Sequence, residues 1–241
     1  MLTTKTFDKK DVKMIAHRGV SGLETENTVA AFVAAGNRSY YGIETDIHAT
    51  ADGKFVCLHD EDARRVAGVT CRVNREKYED IKKIKLKDTS GGGGQREDLR
   101  IPLLEDYISV CKKYGKHAVL ELKDEFDFAQ MSEIIGIIRE IGHLSDTTFI
   151  SFYPKNCYLL RGILPGQSCQ FLSDRINKEV IDGVLGARVD LDVVYTALSE
   201  ENVKLLKAHG VRINCWTVDD EKAAEALVRL GVDYITSNIL E

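Results

Sequence analysis

The stretch IETDIHATADGKFVCLHD, residues 43–60, begins with a β-type run that carries an unusual choice of side chains. Glu44, Asp46 and His48 fall at alternate positions, and alternation by two places all three on one face of a strand. The positions around them hold isoleucine and threonine, which suit a hydrophobic core. The run therefore predicts a strand with one face for packing and one face for chemistry.

The second half of the stretch predicts a hairpin. Asp52-Gly53 separates the first run from FVCLH at 55–59, and two β runs joined by Asp-Gly are typical of a tight turn. If these two residues form the loop, Asp46 lies directly opposite His59, and opposed residues share a face of the sheet. His59 would then join the acidic face, whereas a three-residue loop would place it on the other face.

Outside this stretch, short β-type runs alternate with helical patterns along most of the chain. The strand candidates cover residues 12–17, 42–48, 117–123, 147–152, 168–173, 187–192, 211–218 and 232–237. Helical segments lie between most of them, and several close on a glycine, as helix ends often do. The pattern indicates an α/β fold, a (β/α)8 TIM barrel formed as a single domain over residues 1–241, with a doubly wound open sheet as the alternative.

Residues 60–100 do not follow this alternation. The segment is charged and contains a glycine run at 91–94, so we interpret it as a small insertion after the second barrel strand. Loops that follow barrel strands line the active face, and a long one here is expected to cap the substrate. The glycine run lacks the Gly-Lys-Ser/Thr ending of a phosphate-binding loop, so no nucleotide is expected there.

Charge and composition disfavour several classes of protein. The net charge of −5 argues against nucleic-acid binding and against attachment to anionic lipid by charge. The chain shows no 18-residue apolar run and no apolar signal region, so we expect a cytoplasmic protein without stable membrane association. Its six cysteines are scattered without a Cys-x-x-Cys pair and are expected to be buried, reduced thiols.

Three carboxylates are predicted to point into the barrel from two strands, Glu44 and Asp46 from the second and Glu121 from the third. Burying them without a partner would cost several kcal/mol each unless cations or a metal neutralise their charge. Oxygen ligands of this kind suit a hard divalent cation, Mg²⁺ or Ca²⁺. The set lacks the cysteine and histidine ligands that zinc prefers.

Two histidines, an arginine and a lysine at strand ends suit a reaction at a phosphate. Arg18 offers a forked donor to phosphate oxygens and Lys123 a point charge. His17 and His59 can share base and acid roles near neutral pH. Each alone also fits an ordinary structural role, such as an ion pair between Lys123 and Glu121, but the whole set together is harder to explain in that way.

The chain resembles the glycerophosphodiester phosphodiesterases. The shared motifs are IAHRG at 15–19, ENTVAAF at 26–32, GIETDIHATADGKFVCLHD at 42–60, IPLLED at 101–106, LELK at 120–123, SF at 151–152, WTVDD at 216–220 and GVDYI at 231–235. They follow in the family's order across nearly the whole chain. The resemblance implies a barrel with a small insertion that hydrolyses glycerophosphodiesters, small-molecule substrates, to glycerol 3-phosphate and an alcohol, usually with Ca²⁺ or Mg²⁺.

The resemblance also implies roles for individual residues. It implies an acid/base pair of His17 and His59, and the metal ligands Glu44, Asp46 and Glu121. Phosphate or substrate contacts would come from Arg18 and Lys123, and one wall of the pocket from Trp216. His48 is variable in the family and is left out of the predicted catalytic set.

Three departures from the family pattern stand out. Thr25 replaces the usual proline before Glu-Asn-Thr, and Ser39-Tyr40-Tyr41 precedes the acidic strand. The last loop reads Thr236-Ser237-Asn238 and lacks an acid and a proline, which leaves the detail of that loop open.

Other activities are less well matched. A barrel that cleaves a phospholipid headgroup bond should have an exposed apolar rim or a membrane-seeking helix, and the sequence shows neither clearly. A catalytically dead barrel used as a binding module would not keep the whole polar set, and a metal-dependent sugar isomerase would not need two histidines and an arginine beside the carboxylates. The attacking oxygen, the alcohol group and the roles of the two histidines stay open, as does the oligomeric state.

Overall fold

A single sheet closes into a barrel. The computed structural model describes residues 3–90 and 96–241, so the glycine run of the predicted insertion lies outside the described residues. Within these ranges the strands are β1 Lys13–Ala16, β2 Gly42–Ala49, β3 Phe55–Cys57, β4 His117–Leu122, β5 Thr147–Ser151, β6 Cys169–Ser173, β7 Asp190–Val194, β8 Ile213–Trp216 and β9 Tyr234–Ser237. All but β3 run parallel, and pairing of β1 with both β9 and β2 closes the ring. The predicted (β/α)8 TIM barrel is confirmed.

Helices cover the outside of the barrel. In the described residues they are α1 Val29–Gly36, α2 Arg64–Ala67, α3 Tyr78–Ile81, α4 Leu104–Tyr114, α5 Phe128–Ile141, α6 Pro154–Ile163, α7 Lys178–Ala187, α8 Glu200–Ala208 and α9 Glu221–Leu230. None of these helices has both the length and the apolar character needed to span a bilayer. All six cysteines are buried and free, as predicted.

Helix α7 is an element that the sequence pattern did not indicate. Gly183 and Gly186 weaken its helical propensity. Its start is nevertheless well formed, because the Asn177 side chain accepts a hydrogen bond from the N–H of Val180 at 2.9 Å. The helix runs through Ala187, so strand β7 begins at Asp190, later than the predicted start at residue 187.

The strand β2 alternates in the predicted sense. Ile43 and Ile47 belong to the main hydrophobic core between the barrel and its helices. Glu44, Asp46 and His48 lie on the opposite face and are also buried, since this face lines the barrel interior. Both faces of the strand are therefore out of solvent.

The predicted register of the hairpin is wrong by one residue. Ile47 pairs with Cys57, and the Leu58 N–H donates to the Asp46 carbonyl at 3.0 Å, so Leu58 rather than His59 lies opposite Asp46. The cause is the turn: the Thr50 N–H donates to the Lys54 carbonyl at 2.8 Å, which leaves a three-residue loop. Its third residue, glycine, has φ +77°, the left-handed position that such loops require.

The segment between β3 and α4 forms a small satellite layer with its own core. Its buried apolar residues are Val56, Leu58, Ala63, Val66, Cys71, Val73, Ile81, Leu86, Leu99 and Ile101. Thr25, which replaces the usual family proline, attaches this layer to the barrel. Its hydroxyl donates to the Lys87 carbonyl at 2.8 Å and accepts from the Thr89 N–H at 3.1 Å. That hydroxyl gives the substitution a structural role.

Candidate active site

A pocket of about 200 Å³ opens at the carboxyl ends of the barrel strands. Seven of the eight predicted site residues line it, namely His17, Arg18, Glu44, His59, Glu121, Lys123 and Trp216. The eighth, Asp46, contacts Arg18 and Lys123 beside it. The first and last residues that line the pocket, His17 and Thr236, are more than 200 positions apart in the sequence.

Three buried carboxylates form the acidic part of the pocket. Glu44, Asp46 and Glu121 each offer an oxygen, and these oxygens all lie within 4.8 Å of one another. Burial and the neighbouring carboxylates raise the pKa of Glu44 well above its usual range. The same causes raise the pKa of Glu121 to about 7. Burial alone would also raise the pKa of Asp46, but Arg18 and Lys123 outweigh it and hold it below its ordinary value.

This donor set fits a hard divalent cation. Three carboxylates held this close and this deeply buried repel one another, as the raised pKa of Glu44 reflects. Among the described residues, two positively charged side chains, Arg18 and Lys123, lie against them. The Lys123 ammonium lies 2.8 Å from Glu121 and 3.6 Å from Asp46. An oxygen-only cluster of this kind is the ligand set of Mg²⁺ or Ca²⁺.

The carboxylates are oriented by the loop that follows β1. Arg18 has φ +53°, and this turn aims its N–H at the Glu44 carboxylate, with an N···O distance of 2.8 Å. Asn27 donates to Asp46 at 2.8 Å and accepts from the Thr45 hydroxyl at 2.7 Å. Asn27 belongs to the Glu-Asn-Thr motif, but the sequence did not indicate this role.

His17 is held by the last loop of the barrel. Its Nδ1 lies 2.7 Å from Oδ1 of Asn238, and the Ser21 hydroxyl donates to the same oxygen at 2.6 Å. The Asn238 amide nitrogen donates to Asp219 at 2.6 Å, which fixes Oδ1 as the acceptor toward His17. Nδ1 of His17 must therefore carry the proton, and Nε2 carries the lone pair. Burial and the adjacent Arg18 lower the pKa of His17 to about 4.

His59 has a carboxylate as its partner. Its Nδ1 lies 2.7 Å from Asp60, which in turn accepts from Arg65 at 2.7 Å. Arg65 also holds both oxygens of Glu26, at 2.7 and 2.8 Å, and Glu26 accepts from Arg18 at 2.9 Å. Burial lowers the pKa of His59, while Asp46 and Asp60 act in the opposite direction. A continuous polar chain thus joins His59 to Arg18 through the satellite layer.

His48, which the sequence did not place in the catalytic set, lies behind His59. Its Nδ1 lies 2.8 Å from Asp124, and its Nε2 lies 3.2 Å from the backbone carbonyl oxygen of His59. Burial alone would lower its pKa, but the Asp124 carboxylate outweighs burial and raises it.

Two further residues that line the pocket, Asp192 and Phe152, were missed. Asp192 lies in the pocket on β7, and burial raises its pKa well above the ordinary value. One of its oxygens and the indole N–H of Trp216 have no hydrogen-bond partner among the described residues. The alternation of polar and apolar residues in VDLDVV was the one signal that could have identified Asp192. The ring of Phe152 packs edge-on against Trp216, with centroids 5.9 Å apart, at the pocket mouth.

Comparisons with known proteins agree on one family. The sequence model of the glycerophosphoryl diester phosphodiesterase family matches residues 17–240. A glycerophosphodiester phosphodiesterase of Bacillus subtilis is 26% identical, over 93% of this chain and 82% of that protein. An uncharacterized protein of the same organism, YqiK, is 35% identical over 95% of this chain and 96% of its own length. An Oleispira antarctica phosphodiesterase, solved with sn-glycerol-3-phosphate, shares the fold with a TM-score of 0.86 at 22% identity, over 98% of this chain and 96% of that one.

Proposed function

Because the chain belongs to the glycerophosphoryl diester phosphodiesterase family and is a phosphoric diester hydrolase of the glycerophosphodiester type, we propose that it cleaves its substrate by a two-histidine mechanism with a divalent cation. The products are glycerol 3-phosphate and an alcohol. One observation carries the proposal: two histidines, an arginine, a lysine and three buried carboxylates meet at one end of the barrel.

The cation would be held by Glu44, Asp46 and Glu121, whose oxygens lie within 4.8 Å of one another. It is Mg²⁺ or Ca²⁺, because the ligand atoms are all carboxylate oxygens. When bound, it supplies polarisation of the phosphoryl oxygen and offsets the charge that develops there. It also relieves the repulsion that raises the pKa of Glu44.

His17 acts as the general base in this mechanism. Its Nδ1 proton is committed to Asn238, so Nε2 is free to accept the proton of the attacking oxygen. With a pKa lowered to about 4, the imidazole is neutral and ready to accept a proton near pH 7.

His59 acts as the general acid. The Asp60 carboxylate at Nδ1 and the nearby Asp46 favour the imidazolium form against the burial that lowers its pKa, and this form donates its Nε2 proton to the leaving alkoxide. One P–O bond forms as His17 takes a proton, and one P–O bond breaks as His59 releases one. Arg18 and Lys123 bind the phosphate oxygens, and Trp216 forms a wall beside the substrate.

The described part of the 60–100 segment serves as a cap in this proposal. Arg65 supports it, because this side chain bonds to Asp60, which contacts His59, and to Glu26, which contacts Arg18. We treat the layer as part of the single domain, since its core includes Val56 and Leu58 from the hairpin itself.

Cleavage of a phospholipid headgroup bond is the second candidate, and one observation favours it. Phe152, Tyr153 and Tyr158 are 41%, 40% and 55% exposed near the mouth of the pocket. They lie at or beside a cavity of about 440 Å³ that adjoins the pocket through Phe152 and Leu172. Such a rim could accept an acyl chain.

A substrate panel tests these proposals. Glycerophosphocholine, glycerophosphoethanolamine, glycerophosphoinositol and a lysophospholipid are each incubated with Mg²⁺, Ca²⁺ or EDTA, and released glycerol 3-phosphate and alcohol are measured. We expect glycerol 3-phosphate from the soluble diesters, with loss of activity in EDTA. Activity unchanged by chelator would contradict the cation site, and lysophospholipid as the preferred substrate would favour the second candidate.

A further inference from the structure

His48 is a buried histidine that the proposed mechanism does not use. It lies at the end of β2 and is 3% exposed. Its two ring nitrogens face acceptors on two other segments, namely a carboxylate oxygen of Asp124 just after β4 and the backbone carbonyl of His59 just after β3. One side chain therefore joins three segments whose neighbouring residues form the pocket.

We propose that His48 and Asp124 form a positioning pair that fixes the backbone of His59 relative to the end of β4. The pair would fix the position of the His59 imidazole relative to the leaving oxygen, and it would contact neither the substrate nor the cation. This inference rests on the proposed role of His59 as the acid.

The position of His59 depends on such a contact, because the hairpin register does not provide it. The β2–β3 ladder ends with the bond from the Leu58 N–H to the Asp46 carbonyl, 3.0 Å long. By strand parity, His59 would point away from the acidic face, yet it lines the pocket. The chain must bend directly after Leu58, and the bond from His48 to the His59 carbonyl lies at that bend.

Asp124 is itself held firmly. Its second carboxylate oxygen accepts from the Ala49 N–H at 2.9 Å, and its backbone carbonyl accepts from the Asn156 side chain at 2.8 Å. Asn156 is fully buried and also accepts from the Phe126 N–H at 3.1 Å. Because Asp124 directly follows Lys123, the pair links the bend at His59 to the strand end that carries a phosphate contact.

The same chain contains a matched control for a merely structural histidine. His143 is 5% exposed, and its Nε2 lies 2.9 Å from the Lys116 carbonyl at the opposite, amino end of the barrel. Replacing either histidine by alanine removes a buried ring that hydrogen-bonds to a backbone carbonyl. Only His48 is connected to His59.

The experiment compares His48→Ala, His48→Gln, Asp124→Asn and His143→Ala as full-length proteins with saturating cation and glycerophosphodiester substrate. We expect His48→Ala to lower kcat by about 10-fold to 100-fold with KM within about twofold, which is typical when a supporting contact is lost. Asp124→Asn should lower kcat in the same sense and less strongly. His143→Ala should lower the unfolding temperature and leave kcat unchanged.

A spectroscopic measurement separates positioning from activity. In ¹H–¹⁵N spectra of the histidine rings, the His59 signals should shift or broaden in His48→Ala and stay in place in His143→Ala. If His48→Ala does not fold, His48→Gln gives the same test, since one amide cannot reproduce both ring contacts. A wild-type kcat in a folded His48 variant, or an unmoved His59 signal, would overturn the positioning pair. A wild-type enzyme that releases no glycerol 3-phosphate would instead overturn the proposed function.

Discussion

The two ends of the barrel treat polar side chains in opposite ways. At the amino end, His117 hydrogen-bonds to the Thr148 hydroxyl at 2.8 Å and stacks on Tyr41, and His143 bonds to a backbone carbonyl. At the carboxyl end, three carboxylates lie within 4.8 Å of one another, and Asp192 keeps an oxygen without a partner among the described residues.

This difference separates stability from function along one barrel axis. His117 and His143 at the amino end each have a hydrogen-bond partner within the protein, which is what burial of a polar group requires. Groups at the carboxyl end are buried and in part unsatisfied, and they raise the free energy of the folded protein until a ligand or cation binds. Substitutions at the amino end should therefore change stability and leave activity unchanged, whereas substitutions at the carboxyl end should lower activity and can raise stability.

The largest effect should come from the two histidines that we propose as the catalytic base and acid. We expect His17→Ala or His59→Ala to lower turnover of glycerophosphodiesters by at least about 10²-fold, because each removes a general acid or base. Rates are measured by glycerol 3-phosphate release, and folding by circular dichroism. His143→Ala at the amino end is the control and should keep its turnover. Near-normal activity of either pocket variant would remove that histidine from the mechanism.

A substitution in the acidic cluster should lower activity and raise the stability of the cation-free protein. Glu44→Gln should lower activity by at least about tenfold and weaken its dependence on added cation. In EDTA the same variant should unfold at a temperature about 2–4 °C higher than wild type, which is about 1 kcal/mol for a domain of this size, because the burial that raises the pKa of the Glu44 carboxyl no longer opposes folding. Thermal unfolding with and without cation checks both. A lower unfolding temperature in EDTA would contradict the view that the carboxylates destabilise the protein.

The protein should lose stability in acid because of His117 at the amino end of the barrel. Burial lowers the pKa of His117 to about 4, so between pH 6.5 and 4 the unfolded chain binds more protons than the folded one. Stability is therefore lost as pH falls through this window, by about 2 kcal/mol between pH 7 and 4.5 for this group. Denaturant unfolding of His117→Gln should show a correspondingly smaller pH dependence. An unchanged pH dependence would mean that the surroundings of His117 do not lower its pKa.

The smallest effect should come from the loop that holds His17. The hydrogen bond from His17 to Asn238 raises the pKa of His17, so Asn238→Ala should weaken the base. We expect kcat to fall about threefold to tenfold, and the acid limb of kcat/KM to move to lower pH by about half a unit. Ser21→Ala removes the other contact to the same oxygen and should leave the acid limb in place. A pH profile that both variants share would remove Asn238 from this role.

Much of the fold was accessible from local pattern. The eight barrel strands were predicted because each shows β-type alternation or an apolar run, and helical patterns separate most of them. The inward face of β2 followed from alternation alone. Helix α7 was missed because Gly183 and Gly186 dilute its pattern, and its start depends on one capping contact from Asn177. The hairpin register was wrong because a two-residue and a three-residue loop share the same Asp-Gly signal.

The residues that support the chemistry were the hardest to predict. Asn238 contacts His17 from the far end of the chain, and Asp124 reaches His48 across 76 positions. Such contacts depend on how the loops fold after the strands end, where no periodicity constrains the side chains. His48 in particular could be placed on a strand face but not connected to His59.

The sequence by itself determined which residue types form the site and that the fold is a barrel. Residue type and strand alternation are local properties, so they can be read before the strands are assembled. Only the tertiary structure decided how these groups support one another. It alone shows that the chain bends after Leu58, that His48 contacts the His59 carbonyl at this bend, and that His59 lines the pocket against its strand parity. The physical reason is that parity is a property of the local backbone, whereas the direction of a side chain beyond a strand end is set by contacts with distant segments.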